Sequence, residues 1–210
     1  MTLQAIYIYT DERGKPVFRK KRQSPKRFCV EAAKYAGGRL HWKGGPGCIE
    51  RYQPEWGDKA LFNLPVVLDA LRYGERIVIA EGERDASSVA TLRKVAATTG
   101  HQGAAKFTMQ QAEWLTMYGG KSPIVILRDS DDPGVYSAWL RYQRLTAAGV
   151  DRNRLAIYRV DGYADYTDAV ARVGSSRVRL LREPVSAIKE AAFRVQTSRV
   201  AAYTHDREVS

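Results

Sequence analysis

The chain has 210 residues, 44% hydrophobic and 27% charged, enough for one large domain, or a medium one with smaller additions, around a real core. No apolar run approaches a membrane span, and the opening MTLQAIYIYTDERGK lacks a secretory signal pattern, so a cytoplasmic protein with no membrane partner is expected. The net charge of +11 lies on the flanks: residues 1–74 hold 14 Lys/Arg against 7 Asp/Glu, residues 75–170 hold 12 of each, and residues 171–210 hold 8 against 4. That distribution suits a polyanion, because each phosphate neutralised releases condensed counterions.

Residues 6–9 are β-branched and aromatic, Asp11-Glu12-Arg13-Gly14 is a turn, and Val17-Phe18 restarts a strand, so the chain opens on a β-hairpin. Its return strand runs into Arg19-Lys20-Lys21-Arg22, with Lys26 and Arg27 close behind. Further β-like pieces fall at 27–30, 38–42 and 48–52, and Gly44-Gly45-Pro46-Gly47 is a tight loop. Pro65 opens a helix that Gly74 ends. From there strands at 76–80, 95–97, 123–127 and 155–158 alternate with helices at 84–94, 108–118, 133–148 and 166–173. Such alternation predicts an α/β fold with a parallel four-stranded sheet flanked by helices. In the tail, 178–181 reads as a strand. Residues 183–203 read as a helix with Val185, Ile188, Ala192 and Val195 on one stripe. The expected organisation is a smaller basic β-rich subdomain over 1–73, the α/β domain over 74–173 and a strand-and-helix extension over 174–210.

Two familiar site types are set aside. Cys29 and Cys48 form no C-x-x-C pair, and with His41 they offer three ligands where a structural zinc site uses four. They read as reduced thiols. Gly119-Gly120-Lys121-Ser122 ends like a phosphate-binding P-loop, but the earlier glycine that loop requires falls on Leu115.

The acidic residues carry more information. Glu81 ends the strand at 76–80, followed by Gly82, Glu83 and Asp85. Asp129 and Asp131 end the strand at 123–127, with Asp132 and Gly134 beside them. Asp165 and Asp168 open the helix after the fourth strand. In α/β sheets chemistry sits where strands end and helices begin. Crowded carboxylates resist ionising beside one another, and hard oxygen ligands suit magnesium, which keeps waters and binds substrate phosphates. One or two such acids are explained by the helix dipole alone. Glu81-Gly82-x-x-Asp85 and Asp129-x-Asp131-x-x-Gly134, each after an apolar strand, are not.

In these motifs the chain resembles the TOPRIM family, whose fold is shared by bacterial and phage primases, topoisomerases and some nucleases. Further segments resemble phage primases: Glu81-Gly82-Glu83-Arg84-Asp85-Ala86, Ala97-Thr98-Thr99-Gly100 with Gly103-Ala104-Ala105-Lys106-Phe107, Asp165-Tyr166-Thr167-Asp168, and Leu61-Phe62-Asn63-Leu64-Pro65. The resemblance covers roughly residues 1–173. It implies a TOPRIM-like fold and template-directed synthesis of short RNA primers, in the cytoplasm of a host cell if phage-encoded. Glu81 would be catalytic, as ligand or general base. Asp129 and Asp131 would hold Mg2+ or Mn2+, and Asp85, Asp165 and Asp168 would complete or support the metal site. Arg84 and Lys106 would hold the ribonucleoside triphosphate. Lys20, Lys21, Arg22, Lys26 and Arg27 would contact the single-stranded DNA template through its phosphates, and Tyr9, Phe18 and Trp42 would belong to the core or stack bases. Two departures stand out: Arg84 and Ala164 occupy positions where those primases usually have Lys. The chain also carries neither the cysteine-rich zinc module that primases use to choose start sites nor a helicase motor. A separate zinc-binding subunit and a replicative helicase are the partners this implies, unless the chain does not initiate at all. A TOPRIM nuclease and a non-catalytic DNA-binding replication subunit are the competing readings.

Overall fold

Alternation along the first strand sets the start of the fold. In β1 (Thr2–Thr10) Tyr7 and Tyr9 turn into the protein while Ile6 and Ile8 face out, the two-residue period of a half-buried strand. Asp11 Oδ1 accepts the amides of Arg13 and Lys15 at 2.9 and 2.8 Å, closing the turn into β2 (Pro16–Ser24). β3 (Arg27–Ala36) and β4 (Arg39–Gly44) complete an antiparallel sheet in sequential order. The structure, a computed structural model, describes residues 2–25, 27–103 and 106–208, with side chains through Thr197.

Residues 48–52, expected to be extended, form helix α1 (Cys48–Tyr52). Gly47, at φ 65°, reverses the chain. Cys48 and Ile49 then bury against β3, and Gln53 Nε2 donates to the Ala33 carbonyl at 2.8 Å. A five-residue segment carries too little periodicity to separate strand from helix. α2 (Leu64–Tyr73) ends at Gly74, whose φ of 70° lets its amide reach back to the carbonyls of Ala70 and Leu71.

The alternating part follows as β5 (Arg76–Ile79), α3 (Glu83–Val89), β6 (Val95–Thr98), α4 (Met109–Trp114), β7 (Ile124–Arg128), α5 (Asp132–Ala147), β8 (Leu155–Val160), α6 (Tyr166–Val173), β9 (Leu180–Glu183) and α7 (Val185–Glu208). α3 stops well short of residue 94. The Thr91 hydroxyl donates to the Ser88 carbonyl at 2.7 Å, and Lys94 takes the left-handed conformation at φ 56°. The sheet order is β6-β5-β7-β8-β9. Its first four strands are parallel, as expected, and β9, overlapping the strand expected at 178–181, joins them as a fifth, antiparallel to β8. Counting strands between helices predicts a parallel sheet and is silent on an antiparallel edge strand. Right-handed crossovers place α3 and α5 on opposite faces. α3 packs with α6 on one face, α5 packs on β7 from the other, and α7 packs on α5. Ile77, Ile79, Ile124 and Ile126 are fully buried between these layers, each contributing about 1.5–3 kcal/mol. No helix among the described residues is long and apolar enough to cross a membrane.

The two sheets share one core. Tyr9 stacks on Phe18 with ring centroids 4.4 Å apart and packs against Phe62, beside α2. At this junction Glu83, in the first turn of α3, is 4% exposed. Its Oε1 accepts from Tyr9 Oη and from Lys20 Nζ, both at 2.8 Å, and Lys20 also donates to the His101 carbonyl at 3.1 Å. Lys20, expected at the surface on template phosphates, is therefore turned inward, because a buried carboxylate demands a cation.

Breaking this pair from one side should be costly. Lys20→Met is expected to destabilise the protein by about 3 kcal/mol in urea unfolding, and adding Glu83→Gln should recover much of the loss. His101 lies edge-on to Tyr9 and Phe18, and burial, with Lys20 nearby, lowers its pKa to about 4 from an ordinary 6.5. It stays neutral in the folded state where the unfolded chain would take a proton. Stability should therefore be full above pH 6.5 and fall by about 3 kcal/mol as pH drops through 6.5 toward 4. His101→Phe should flatten that slope in urea titrations across the window.

Candidate active site

The sheet order creates the site. β5 sends the chain through α3 to β6 on one side, and β7 sends it through α5 to β8 on the other. The connections diverge, and a crevice opens beyond the carboxyl ends of β5 and β7. Glu81 leaves β5 at this point and Asp129 leaves β7.

Asp131 is the N-cap of α5, its Oδ1 accepting from the Gly134 amide at 2.8 Å. A Cβ on Gly134 would stand 2.5 Å from the Asp129 carbonyl, so only glycine lets α5 start this close to the end of β7. Asp165 caps α6 in the same way, accepting from the Asp168 amide at 2.6 Å. Asp85 is buried in α3 and accepts from the amide and the hydroxyl of Thr167 at 2.9 and 2.6 Å, tying α3 to α6. Gly82 has nothing within 4 Å of where a side chain would begin, which leaves the crevice open beside Glu81.

Five carboxylates share this end of the sheet. Burial, then the charges of Glu81, Asp85, Asp165 and Asp131, push Asp129 up to about 8. Burial also raises Glu81; Asp131 and Asp85 add to the rise, while Arg141 and the Asp129 amide oppose it. Burial raises Asp85 against its hydrogen bonds from Thr167. The counter-charge is Arg141, which is 1% exposed. It donates to Ser137 Oγ at 2.6 Å and to the Glu81 carbonyl at 3.4 Å. Burial lowers its pKa to about 10, held up by Glu81 and Asp129.

Glu81, Asp85, Asp129, Asp131 and Asp165 are thus brought together. Asp168 is not: it pairs with Arg172 on the outer side of α6 at 3.0 Å and does not enter the electrostatics of the others. Among the described residues, no three His, Cys, Asp or Glu side chains are disposed around one metal position. Local bonds explain this, since Asp131, Asp165 and Asp85 each commit an oxygen to a helix cap or to Thr167. Glu81 Oε2 is buried without a partner. Magnesium is commonly held by one or two carboxylates plus water and phosphate, and Glu81 with Asp129 is a donor pair of that kind.

The basic residues divide. Arg84 is exposed beside Asp85, and Lys106 is exposed on a surface hollow with Tyr136 and Arg144. Lys21 shares Glu31 with Arg19, and Arg22 donates to Gln4 at 3.3 Å. Arg27 is exposed, and Lys26 lies outside the described residues. Tyr9 and Phe18 are core, and Trp42 lies under the Arg19 guanidinium at 4.6 Å. Cys29 is exposed and Cys48 buried, both free.

Two features escape the motif reading. Arg141 interrupts the apolar stripe of Val135, Ala138 and Leu145 on α5, and a charged residue at such a spacing is a sequence-visible signal. Arg128 has no comparable signal. It is gripped by Glu183 of β9 at 2.6 and 2.7 Å and donates to the Asp129 carbonyl at 2.7 Å.

The fold is mixed α/β and matches that of primase catalytic cores, with the small β-sheet ahead of the five-stranded one. The solved structures it resembles include the primase fragment of the bacteriophage T7 primase-helicase protein, at 18% identity and TM-score 0.55, covering 82% of this chain and 59% of that one. The E. coli primase catalytic core matches at 15% identity and TM-score 0.55, covering 91% and 56%. A DnaG primase catalytic domain bound to single-stranded DNA matches at 16% and 0.55, covering 87% and 54%. The chain therefore spans under two thirds of each. No family model and no curated protein matches it.

Arg141→Met should remove the cation that offsets Glu81 and Asp129. It is expected to cost about 3 kcal/mol at pH 8. The cost should be smaller at pH 5, where Asp129, at about 8, carries its proton. Urea unfolding at the two pH values checks this.

Proposed function

We propose that this chain is the catalytic core of a TOPRIM-type DNA primase of the phage kind, making short RNA on a single-stranded DNA template by metal-dependent nucleotidyl transfer. The observation that carries the proposal is the pairing of Glu81 and Asp129 across the crevice at the β5/β7 switch point, in a fold resembling primase cores.

In this reading Glu81 and Asp129 would hold Mg2+ or Mn2+, with Asp131 beside them. Bound there, it supplies charge compensation for the α-phosphate and lowers the pKa of the attacking hydroxyl. The residues do the rest. Glu81, raised by burial, can take the proton of a ribonucleotide 3′-hydroxyl at its unpartnered Oε2. Arg141 keeps the crowded site from protonating completely. Asp85, joined to Thr167, holds α3 and α6 at the rim. Arg84 and Lys106 bind the triphosphate from the open side. Arg22 and Arg27 contact template phosphates and set its position without reading sequence. We assign start-site choice to a zinc-bearing module and unwinding to a replicative helicase, neither of them within residues 1–210.

The test is synthesis on single-stranded template with NTPs and Mg2+ or Mn2+, beside a parallel incubation with labelled duplex. Glu81→Gln and Asp129→Asn should each reduce primer yield by roughly 100-fold or more, with thermal stability at pH 7 unchanged or raised. Strand cleavage without synthesis would replace the primase by a nuclease. DNA binding with neither activity, even with a zinc-bearing primase subunit added, would leave a non-catalytic replication subunit.

A further inference from the structure

Parallel sheets are normally covered on both faces. Here, among the described residues, one face of the five-stranded sheet is covered only by α3 and α6, two short helices at its carboxyl end. Strand register shows what remains. Val78, Val125 and Ala156 stand side by side across β5, β7 and β8, and Leu127, Tyr158 and Arg182 form the next row. Val125, Ala156 and Tyr158 are only partly covered, and Leu180, on β9, is 41% exposed. Together they floor a groove of about 350 Å3 whose lining includes Arg76, Arg154 and Arg182 and no acidic residue. Arg76 and Arg182 are exposed and make no ion pair among the described residues. The groove starts at the amino ends of β5 and β7 and runs to Leu127 and Tyr166, and its lining includes none of the five carboxylates.

An apolar floor on an α/β sheet has the shape that a helix of about 10–12 Å diameter fills, and its exposure marks an interaction surface. The arginine rim sets the sign. We propose that this groove docks an amphipathic helix of a partner protein, apolar on one face and rich in Asp and Glu along its flanks. The apolar contacts supply affinity, and Arg76 and Arg182 select for acidic flanks and speed encounter. The same rim repels a basic helix, and the phosphates of DNA would engage the rim without using the apolar floor.

The probe is a labelled helical peptide with Leu at positions i, i+3, i+4 and i+7 and Glu elsewhere, compared with the same peptide carrying Lys and with a scrambled Glu peptide. Binding is read by fluorescence anisotropy, and its location by amide NMR shifts of the full chain. The Glu peptide should bind, shift the amides of β5, β7 and β8, and weaken with salt. The double variant Arg76→Glu, Arg182→Glu should lose about tenfold or more in affinity and then favour the Lys peptide. Leu180→Lys, at an exposed position, should also weaken binding, and circular dichroism should show all variants folded. Equal binding of Glu, Lys and scrambled peptides would overturn the proposal, as would shifts confined to other surfaces or no binding. Self-association of the chain abolished by Leu180→Lys would make a second copy the occupant and equally overturn it. Primer synthesis by the groove variants should match that of the parent chain, so failure here is separable from failure of the primase reading.

Discussion

The structure turns on negative charge held together at one end of a sheet. Glu81, Asp85, Asp129, Asp131 and Asp165 come from three strand ends and meet because β5 and β7 send their connections in opposite directions. Such crowding is unfavourable for the folded chain on its own, and it adds to burial, the larger cause, in pushing Asp129 up to about 8. One fully buried cation, Arg141, offsets part of that cost from beneath the crevice. In the proposed function, the remainder would favour binding a divalent ion and the phosphates it brings.

Other elements serve to hold these side chains at fixed positions. Asp131 and Asp165 begin α5 and α6 as caps, so each carboxylate is tied to a helix start. Arg128, clasped by Glu183, fixes the end of β7 just before Asp129. The carboxyl-terminal extension thereby becomes part of the site's scaffold. On the other side, Glu83 joins the first turn of α3 to Tyr9 and Lys20 of the small sheet. The basic amino-terminal segment is therefore both a template surface, in the proposed function, and an anchor for the loop that carries Glu81.

This division of the basic residues bears on how charge patterns are read. Arg19, Lys20, Lys21 and Arg22 are neighbours in sequence and alternate between the faces of β2. Lys20 goes inward to Glu83, while Arg19 and Lys21 share Glu31 on the opposite face. A run of like charges on a strand is split by the two-residue period, so its total overstates what one face presents to nucleic acid.

Much of the fold was legible in the sequence because it is written in local patterns. Period-two alternation marks β1, apolar runs mark β5, β7 and β8, glycine closes α2, and the two acidic motifs sit at strand ends. These are short-range properties, set by backbone geometry and by which side chains avoid water. The short α1, the early end of α3 and the antiparallel pairing of β9 with β8 were not legible, since few residues carry each and packing decides them. The same limit applies to the site. The sequence by itself determined which carboxylates stand at strand ends. Only the tertiary structure decided that Asp168 turns away to Arg172, that Lys20 is buried, and that Arg141 and Arg128 lie against the site. Those outcomes depend on contacts between residues far apart in the chain, where burial makes each charge seek whatever opposite charge folding brings within reach.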